Sequence, residues 1–493
     1  MMNLLRGFSR GAFCGLLAAT CFTDSRAAVP HAPRIEGVEI LADQGWTNNP
    51  NTIWYDSFDE PGSLDDRYFE VRDNGLEFGP ISYEALGGSG QSIRSGWQPG
   101  QSQAGNLKMT FGRNPIGNSG SGVRQNEDFN EIYWRHYLKH EEGWIGNPQK
   151  LSRVSAFASS NWSQAMVAHV WGGGSNNIGH DPARGVDANS QVVTTGWNDV
   201  NNFTWLDFQQ GSTQIFDTAE SGRWVSIEGH VKLNSPGNSD GEFTLWIDGQ
   251  LEITRNDLNW VNSWDNYGIN AVFLENFWNN GSPVEQERFF DDFVISTAPI
   301  GLAKSPLNPL VTKTSFSDPD AADSQSAWRL QIATDIDGTD IVWDSGQITS
   351  AGLDISVNST NGDFVGSLVG KDQLLPSHLY ALRVQQSDIA GNWSEWSEWS
   401  TSLQTSSIAD FNGDGTVDAI DLGVWSTNYG SAGGMGDSDA DGDVDGNDFL
   451  AWQREVSATV PLRASLSSTV PEPSALVLVT IAVAILASTG CRL

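Results

Sequence analysis

The sequence predicts a mostly β protein: two consecutive β-sandwiches, then a small pair of helices and a C-terminal hydrophobic helix. Three observations carry that reading. Helical periodicity is nearly absent between residues 35 and 405, where short alternating runs, many Gly and Asn turns and abundant Trp and Phe mark half-buried strands. A chain of 493 residues is long enough for about three domains. The stretches "STAPIGLAKSPLNP" and "SLQTSSIAD" break the strand pattern with Pro, Ser and Thr, which places boundaries after 300 and after 406.

At the N-terminus Arg6 and Arg10 precede a short apolar run and small residues up to Ala27 and Ala28, the pattern of a secretory signal over 1–28. The run is too short for a permanent membrane span, so the chain is expected to be exported. At the other end Pro471-Glu472-Pro473 precedes an uncharged stretch from Ser474 to Thr489, and Arg492 follows. Roughly 20 apolar residues span a bilayer, so this stretch is short but long enough. Cys14, Cys21 and Cys491, the only cysteines, lie in these two end segments, and the 29–469 remainder is expected to fold without a disulfide. With 61 acidic against 27 basic residues the chain lacks the basic face that nucleic acid requires.

The large region 35–300 is where activity is expected. In "WVSIEGHVKL" Val225, Ile227, Val231 and Leu233 point one way, and Trp224, Ser226, Glu228, His230 and Lys232 the other. In "EIYWRHYLK" one face carries Glu131, Tyr133, Arg135, Tyr137 and Lys139. Aromatics interleaved with both charge signs suit a sugar polymer, since rings stack on pyranose faces while charges bond hydroxyls or carboxylates. An exposed sheet face with no ligand is the alternative.

In the region 302–406, "LPSHLYALRV" sets Tyr380 at the head of a strand, and "GNWSEWSEWS" holds Trp393, Trp396 and Trp399 at three-residue spacing. The segment resembles a fibronectin type III domain, with Tyr380 in the tyrosine-corner place. The tryptophan repeat resembles the WSxWS motif of cytokine-receptor domains, which implies stacking on a cation, here Arg383. The domain is expected to be a spacer.

Two acidic loops follow. In "DFNGDGTVDAID" Asp410, Asn412, Asp414, Asp418 and Asp421 occupy positions 1, 3, 5, 9 and 12 of an EF-hand calcium loop. Gly415 takes the sharp turn at position 6, and Thr416 offers its carbonyl at position 7. The second loop repeats the order with Asp437, Asp439, Asp441, Asp443, Asp445 and Asp448. Each loop runs into a short helix, and Leu422 and Trp425 correspond to Phe449 and Trp452. The pair, over 408–456, resembles a dockerin type I module, which implies two Ca2+ ions and a cohesin-like partner chosen by Ala419–Ile420 and Gly446–Asn447. A Ser/Thr/Val-rich stalk over 457–469 leads to the tail at 470–493. That tail resembles a PEP-CTERM sorting signal, cut by a protease of the exosortase type. The protein is expected to be secreted or held at the envelope after processing.

The motifs "DSFDEPGS", "YWRHYLKHEEGW", "QKLSR", "RWVSIEGHVKLNSPGNSDGEFTLWIDGQ" and "NAVFLENFWNNGSP" resemble the polysaccharide lyases of the alginate and glucuronan type. That likeness implies a concanavalin A-like jelly roll whose concave sheet forms the substrate cleft, and β-elimination on a uronate polymer. Elimination needs a group that neutralises the uronate carboxylate, a base for the C5 proton and an acid for the leaving oxygen. Arg135 is the candidate neutraliser. Lys150 occupies the place of the lysine in the lyases' "KLPG" segment, and His169, His230 and Tyr137 are candidate bases or acids. Tyr133, Lys139, Trp224, Glu228 and Lys232 are the candidate substrate-binding residues.

The sequence departs from the family pattern in two places. "QVVTTGWND" stands where a Tyr-x-Tyr strand is expected, and "SNWSQAMVAHVW" lacks the arginine expected before it. Catalysis is then expected at His169 and His230, or lost. A lyase acting through these residues requires Lys150, Arg135, His169 and His230 to converge; with the two histidines on opposite sheets, or Lys150 buried away from any groove, that assignment fails and a non-catalytic glycan-binding or surface-structural protein takes its place. The Glu-x-Asp-x-x-Glu strand of laminarinase-type hydrolases is absent, which argues against paired-carboxylate hydrolysis.

Overall fold

The structure, a computed structural model, describes residues 29–458 except 74, 76, 118–122 and 440. The segment 1–28, the stalk beyond 458 and the tail 470–493 lie outside the described residues. No helix among the described residues is long and apolar enough to cross a membrane.

Two antiparallel eight-stranded sheets form the large sandwich. One, here the groove sheet, runs in the order 204–205, 178–184, 164–172, 150–157, 271–277, 103–110, 70–72, with 209–210 also pairing 178–184. The other, here the covered sheet, runs 250–258, 241–247, 224–232, 131–140, 286–296, 92–97, 77–81, with 52–56 also pairing 286–296. Strand alternation sends every second side chain between them. Leu107, Val154, Ala168 and Val272 come from the groove sheet, and Trp134, Ile227, Leu245 and Phe290 from the covered sheet. The Trp134 indole crosses the core and donates to Ser152 Oγ at 3.2 Å. It can lie there only because Gly229 stands opposite it, where a Cβ would come within 2.3 Å of the ring. Val225, Ile227 and Val231 point into this core as the alternation predicts.

The second sandwich has a six-stranded sheet and a three-stranded one. One edge strand of the latter comes from outside the expected range 302–406. Ile35–Val38, inside the range assigned to the large region, pairs with Leu310–Lys313 of the second sandwich, more than 270 residues away. A local reading cannot see such a partner. The Tyr380 hydroxyl accepts from Leu375 N at 2.9 Å. Arg383 lies over Trp396 and Trp399 at 4.6 and 4.5 Å, and Arg329 over Trp393 at 4.3 Å, so the repeated tryptophans form a ladder with arginines.

The two helices, Ala419–Asn428 and Gly446–Ala458, pack through Trp425 and Phe449, whose rings are 4.9 Å apart. Asp418 and Asp421 form a capping box that starts the first helix. Each tryptophan also donates to the other repeat's loop: Trp425 Nε1 to Asp445 O, and Trp452 Nε1 to Asp418 O. The pair is fastened to the second sandwich by the buried Glu455 carboxylate, which accepts from Ser377 Oγ, Ser407 Oγ and Ile408 N. Its first loop is held from two sides: Gly415 O accepts from Lys304 Nζ of the second sandwich, and Gly45 approaches so closely that a Cβ there would meet Gly415 N at 2.6 Å.

Candidate functional site

The expected site residues divide between two faces that look away from each other. Arg135, Tyr137, Tyr133, Lys139, Trp224, Glu228, His230 and Lys232 lie on the outer face of the covered sheet. Lys150 and His169 lie on the outer face of the groove sheet. The expected convergence of Lys150, Arg135, His169 and His230 therefore does not occur, because the core separates the two histidines.

The covered face is an internal interface. The linker after Ser296 crosses it, and Glu228 accepts from Ile300 N and Gly301 N, both at 2.9 Å. Arg135, fully buried, donates to Gly301 O at 2.8 Å and pairs with Asp292. The Tyr137 hydroxyl accepts from Ala303 N at 2.8 Å. Lys139 Nζ is held by Glu36 and Glu84 at 2.6 and 2.8 Å, and Trp224 packs beneath Ala303 and beside Gly37. These five residues carry the second sandwich and its connections, so they are not available to a polymer.

Further along the same face, Tyr133 stacks on His230 with ring centroids 4.3 Å apart. His230 Nε2 meets Glu131 at 2.9 Å, and Lys232 pairs with Glu242 at 3.2 Å. Burial pulls the proton affinity of His230 below the usual imidazole range, and Glu131 opposes that shift. The neighbour that matters most for His230 is thus Glu131, across the strand pair, rather than Glu228 on its own strand.

The groove face is open at one end. Lys150 lines a cavity of about 180 Å³ with Arg72, Asn106, Asn198, Glu275 and Phe277. A bulge between Leu274 and Phe277 sets Phe277 opposite Lys150, and the ammonium sits 5.1 Å from that ring. Burial holds Lys150 below the usual lysine range, Glu275 opposing and Arg153 adding to the shift. Arg153, directly opposite His169 on the neighbouring strand, pairs with Glu275 at 3.0 Å, donates to Asn198 Oδ1 and lies under Trp197. Lys108 pairs with Glu70 at 2.6 Å and lies among Trp162, Trp197 and Phe273.

His169 is buried beside Trp171 and Trp205, and neither ring nitrogen finds a partner. Burial, reinforced by Arg153 and Lys150, keeps it neutral. The strand beyond it is Ile178–Arg184, not the "QVVTTGWND" stretch, most of which forms a loop that lays Trp197 over the sheet. Sequence reasoning missed Arg153, Lys108 and Glu275. Arg153 stands three residues after Lys150 in the quoted "QKLSR", and strict alternation would have set it on the other face from Lys150. Leu151 and Val154 both enter the core at three-residue spacing, so the alternation is broken within 150–153 itself.

The polysaccharide lyase 14 family profile matches residues 201–293. That segment holds Trp205, Glu275 and Phe277, while Lys150, Arg153 and His169 lie before it. No curated protein matches the chain. Among solved structures, the chain is similar to a marine alginate lyase of family PL-14 from Aplysia kurodai, at 15% identity and TM-score 0.35, covering 50% of this chain and 99% of that one. It is similar to an endo-β-1,4-glucuronan lyase from Trichoderma reesei at 13% identity and TM-score 0.35, covering 50% and 96%. It is similar as well to an alginate lyase from a Chlorella virus at 13% identity and TM-score 0.35, covering 50% and 100%.

Proposed function

We propose that the large sandwich engages a uronate-bearing polysaccharide along its groove face, with Lys150 pairing a uronate carboxylate. One observation carries this reading. Arg72 and Lys108 are paired with Glu70, and Arg153 with Glu275, whereas the Lys150 ammonium has no ion-pair partner among the described residues. A partly desolvated cation beside an open cavity gains most from an incoming carboxylate.

A second reading, β-elimination at the same place, is favoured by the lowered proton affinity of Lys150, which suits its amine to take the C5 proton. Asn106 and Asn198 line the cavity as amide donors for the uronate carboxylate. The profile match at 201–293 supports this reading. Binding stands first because Arg135 and His230 are on the other sheet. The test is a panel of acidic polysaccharides scored both for binding and for the ultraviolet absorbance of unsaturated uronate. Binding without absorbance selects the non-catalytic reading, absorbance lost in Lys150→Ala selects the lyase, and neither signal rejects both.

For the helix pair we propose two calcium ions, held by Asp410, Asn412, Asp414, Thr416, Asp418 and Asp421, and by Asp437, Asp439, Asp441, Asp443, Asp445 and Asp448. The residues fit. Asp410 accepts from Asp414 N and Gly415 N, and Asp421 from Asn412 N and Asp418 N, which closes the first loop around its carboxylates. In the second loop, carboxylate oxygens of Asp437, Asp439 and Asp441 lie within 4.8 Å of one another, and Asp437 keeps a buried oxygen without a partner. Calcium would neutralise this repelling cluster. Chelation is expected to open 406–458 to protease while the large sandwich stays resistant; equal resistance with and without chelator rejects the assignment.

Ile420 and Leu450, both exposed on this pair, support a protein partner of the cohesin type. Export, processing by an exosortase-type protease and a secreted or envelope location complete the proposal. Mass spectrometry that recovers 474–493 on the bulk of the mature protein would contradict the processing step.

A further inference from the structure

The strand Ile178–Arg184 carries a group that the Lys150 reading leaves unused. Ile178 and His180 point into the core, and the His180 ring stacks on Phe243 of the other sheet at 4.4 Å. The alternate residues Gly179, Asp181 and Ala183 therefore face the groove. Asp181 lies directly across from His169 and is half-buried. Among the described residues its carboxylate accepts no hydrogen bond and meets no cation, since Arg153, on the same face across His169, is committed to Glu275 and Asn198. Burial lifts the Asp181 carboxyl to about 6.

Aromatic rings frame this carboxylate. Trp171 stands opposite Gly179, and Trp205 opposite Ala183. Phe208 covers Gly179 so closely that a Cβ there would come within 2.4 Å of its ring. Trp205 and Phe208 are 39% and 44% exposed, unusual for rings of this size on a sheet surface. The groove thus has two unlike ends. Lys150 stands on the Lys150–Phe157 strand, two strand steps from Ile178–Arg184, about 10 Å at ~4.8 Å per step.

We propose that Asp181, Trp205 and Phe208 form a second subsite that takes a neutral pyranose, so that the groove selects a polymer in which uronates are separated by neutral sugars. This rests on the Lys150 groove being the polymer site. An unpaired carboxylate flanked by bare rings matches a neutral sugar: hydroxyls donate to the carboxylate, and the apolar ring face covers the indole. A uronate in the same place sets two carboxylates together with no cation between them, which is unfavourable. Asp181 is then a specificity-determining residue that disfavours a uronate homopolymer.

The test compares the full chain's affinity for two probes: a uronate homopolymer such as alginate, and a polymer alternating glucuronate with a neutral sugar. Asp181→Asn, isosteric and half-buried, should raise affinity for the homopolymer about fivefold while changing the alternating polymer less than about twofold. Trp205→Ala should weaken the alternating polymer by about fivefold. Melting curves confirm that both variants keep the fold. An unchanged ratio of the two affinities in Asp181→Asn, with Lys150→Ala weakening both probes, overturns the subsite and leaves the groove standing. Lys150→Ala without effect on either probe removes the groove reading and the subsite with it.

Discussion

The covered face and the groove face of the large sandwich both present lysine, arginine, histidine and aromatic side chains, yet their charges end differently. On the covered face Arg135 is answered by Asp292, Lys139 by Glu36 and Glu84, His230 by Glu131, Lys232 by Glu242, and Glu228 by two backbone amides. On the groove face Lys150 and Asp181 have no such partner among the described residues, beside an open cavity and exposed rings. Residue type therefore does not separate an interface from a site. Whether the chain itself completes the charge does.

The largest expected effect lies on the covered face. Arg135→Ala leaves Asp292 buried and uncompensated, and removal of one partner of a buried pair costs roughly 3–5 kcal/mol. Thermal unfolding should show that loss, and a folded fraction should still bind polymer. A variant with unchanged stability would break the comparison, because the face would then be free rather than internal.

Acid comes next. Burial holds His136 at about 3 and His180 at about 4, and also holds His140 and His169 well below the usual imidazole range. The unfolded chain binds protons at these sites near pH ~6.5 and the folded chain does not, so stability is lost as pH falls below ~6.5. Asp181, raised to about 6, has the opposite sign, since its ionised form costs stability at neutral pH and that cost fades on acidification. Asp56, Glu228, Asp291 and Asp292 are raised by burial as well and share that sign, so melting temperature is expected to fall from pH 7 to pH 5 by less than the four histidines alone would give. A flat profile would mean that water reaches these rings.

A smaller effect belongs to the groove. Lys150→Ala should leave the melting temperature nearly unchanged and weaken binding of an acidic polysaccharide about tenfold, measured by affinity electrophoresis. The same substitution should not alter binding of a neutral glucan. The smallest effect returns to the covered face: Tyr137→Phe loses only the hydroxyl that accepts from Ala303 N, worth about 1 kcal/mol, and should shift unfolding without touching binding.

Much of the architecture was legible in the chain alone. Period-two alternation in "WVSIEGHVKL" correctly sorted Val225, Ile227 and Val231 from Glu228 and His230, because a strand can bury one face only by that spacing. The ordered oxygens of the two acidic loops and the paired Trp425 and Trp452 gave a helix pair whose indoles cap each other's loops. The tyrosine hydroxyl at Tyr380 and the Arg383–tryptophan ladder were likewise readable, since short segments specify them.

Alternation tells which side chains share a face but not what that face meets. Ile35–Val38 finds its partner at Leu310–Lys313, and the linker at Ile300–Ala303 lies down on Glu228, Arg135 and Tyr137, all across long stretches of chain. Only that tertiary packing turned the polar face into an interface. On the other sheet the interrupted alternation between Leu151 and Val154, both in the core, set Lys150 and Arg153 on one face, and Asp181 became visible only once Ile178–Arg184 was seen to pair with the His169 strand. Local sequence determined the strands, the loops and their faces, because those follow from backbone geometry over a few residues. The fold decided which charges were left without a partner, because a partner hundreds of residues away is brought near only when the whole chain packs.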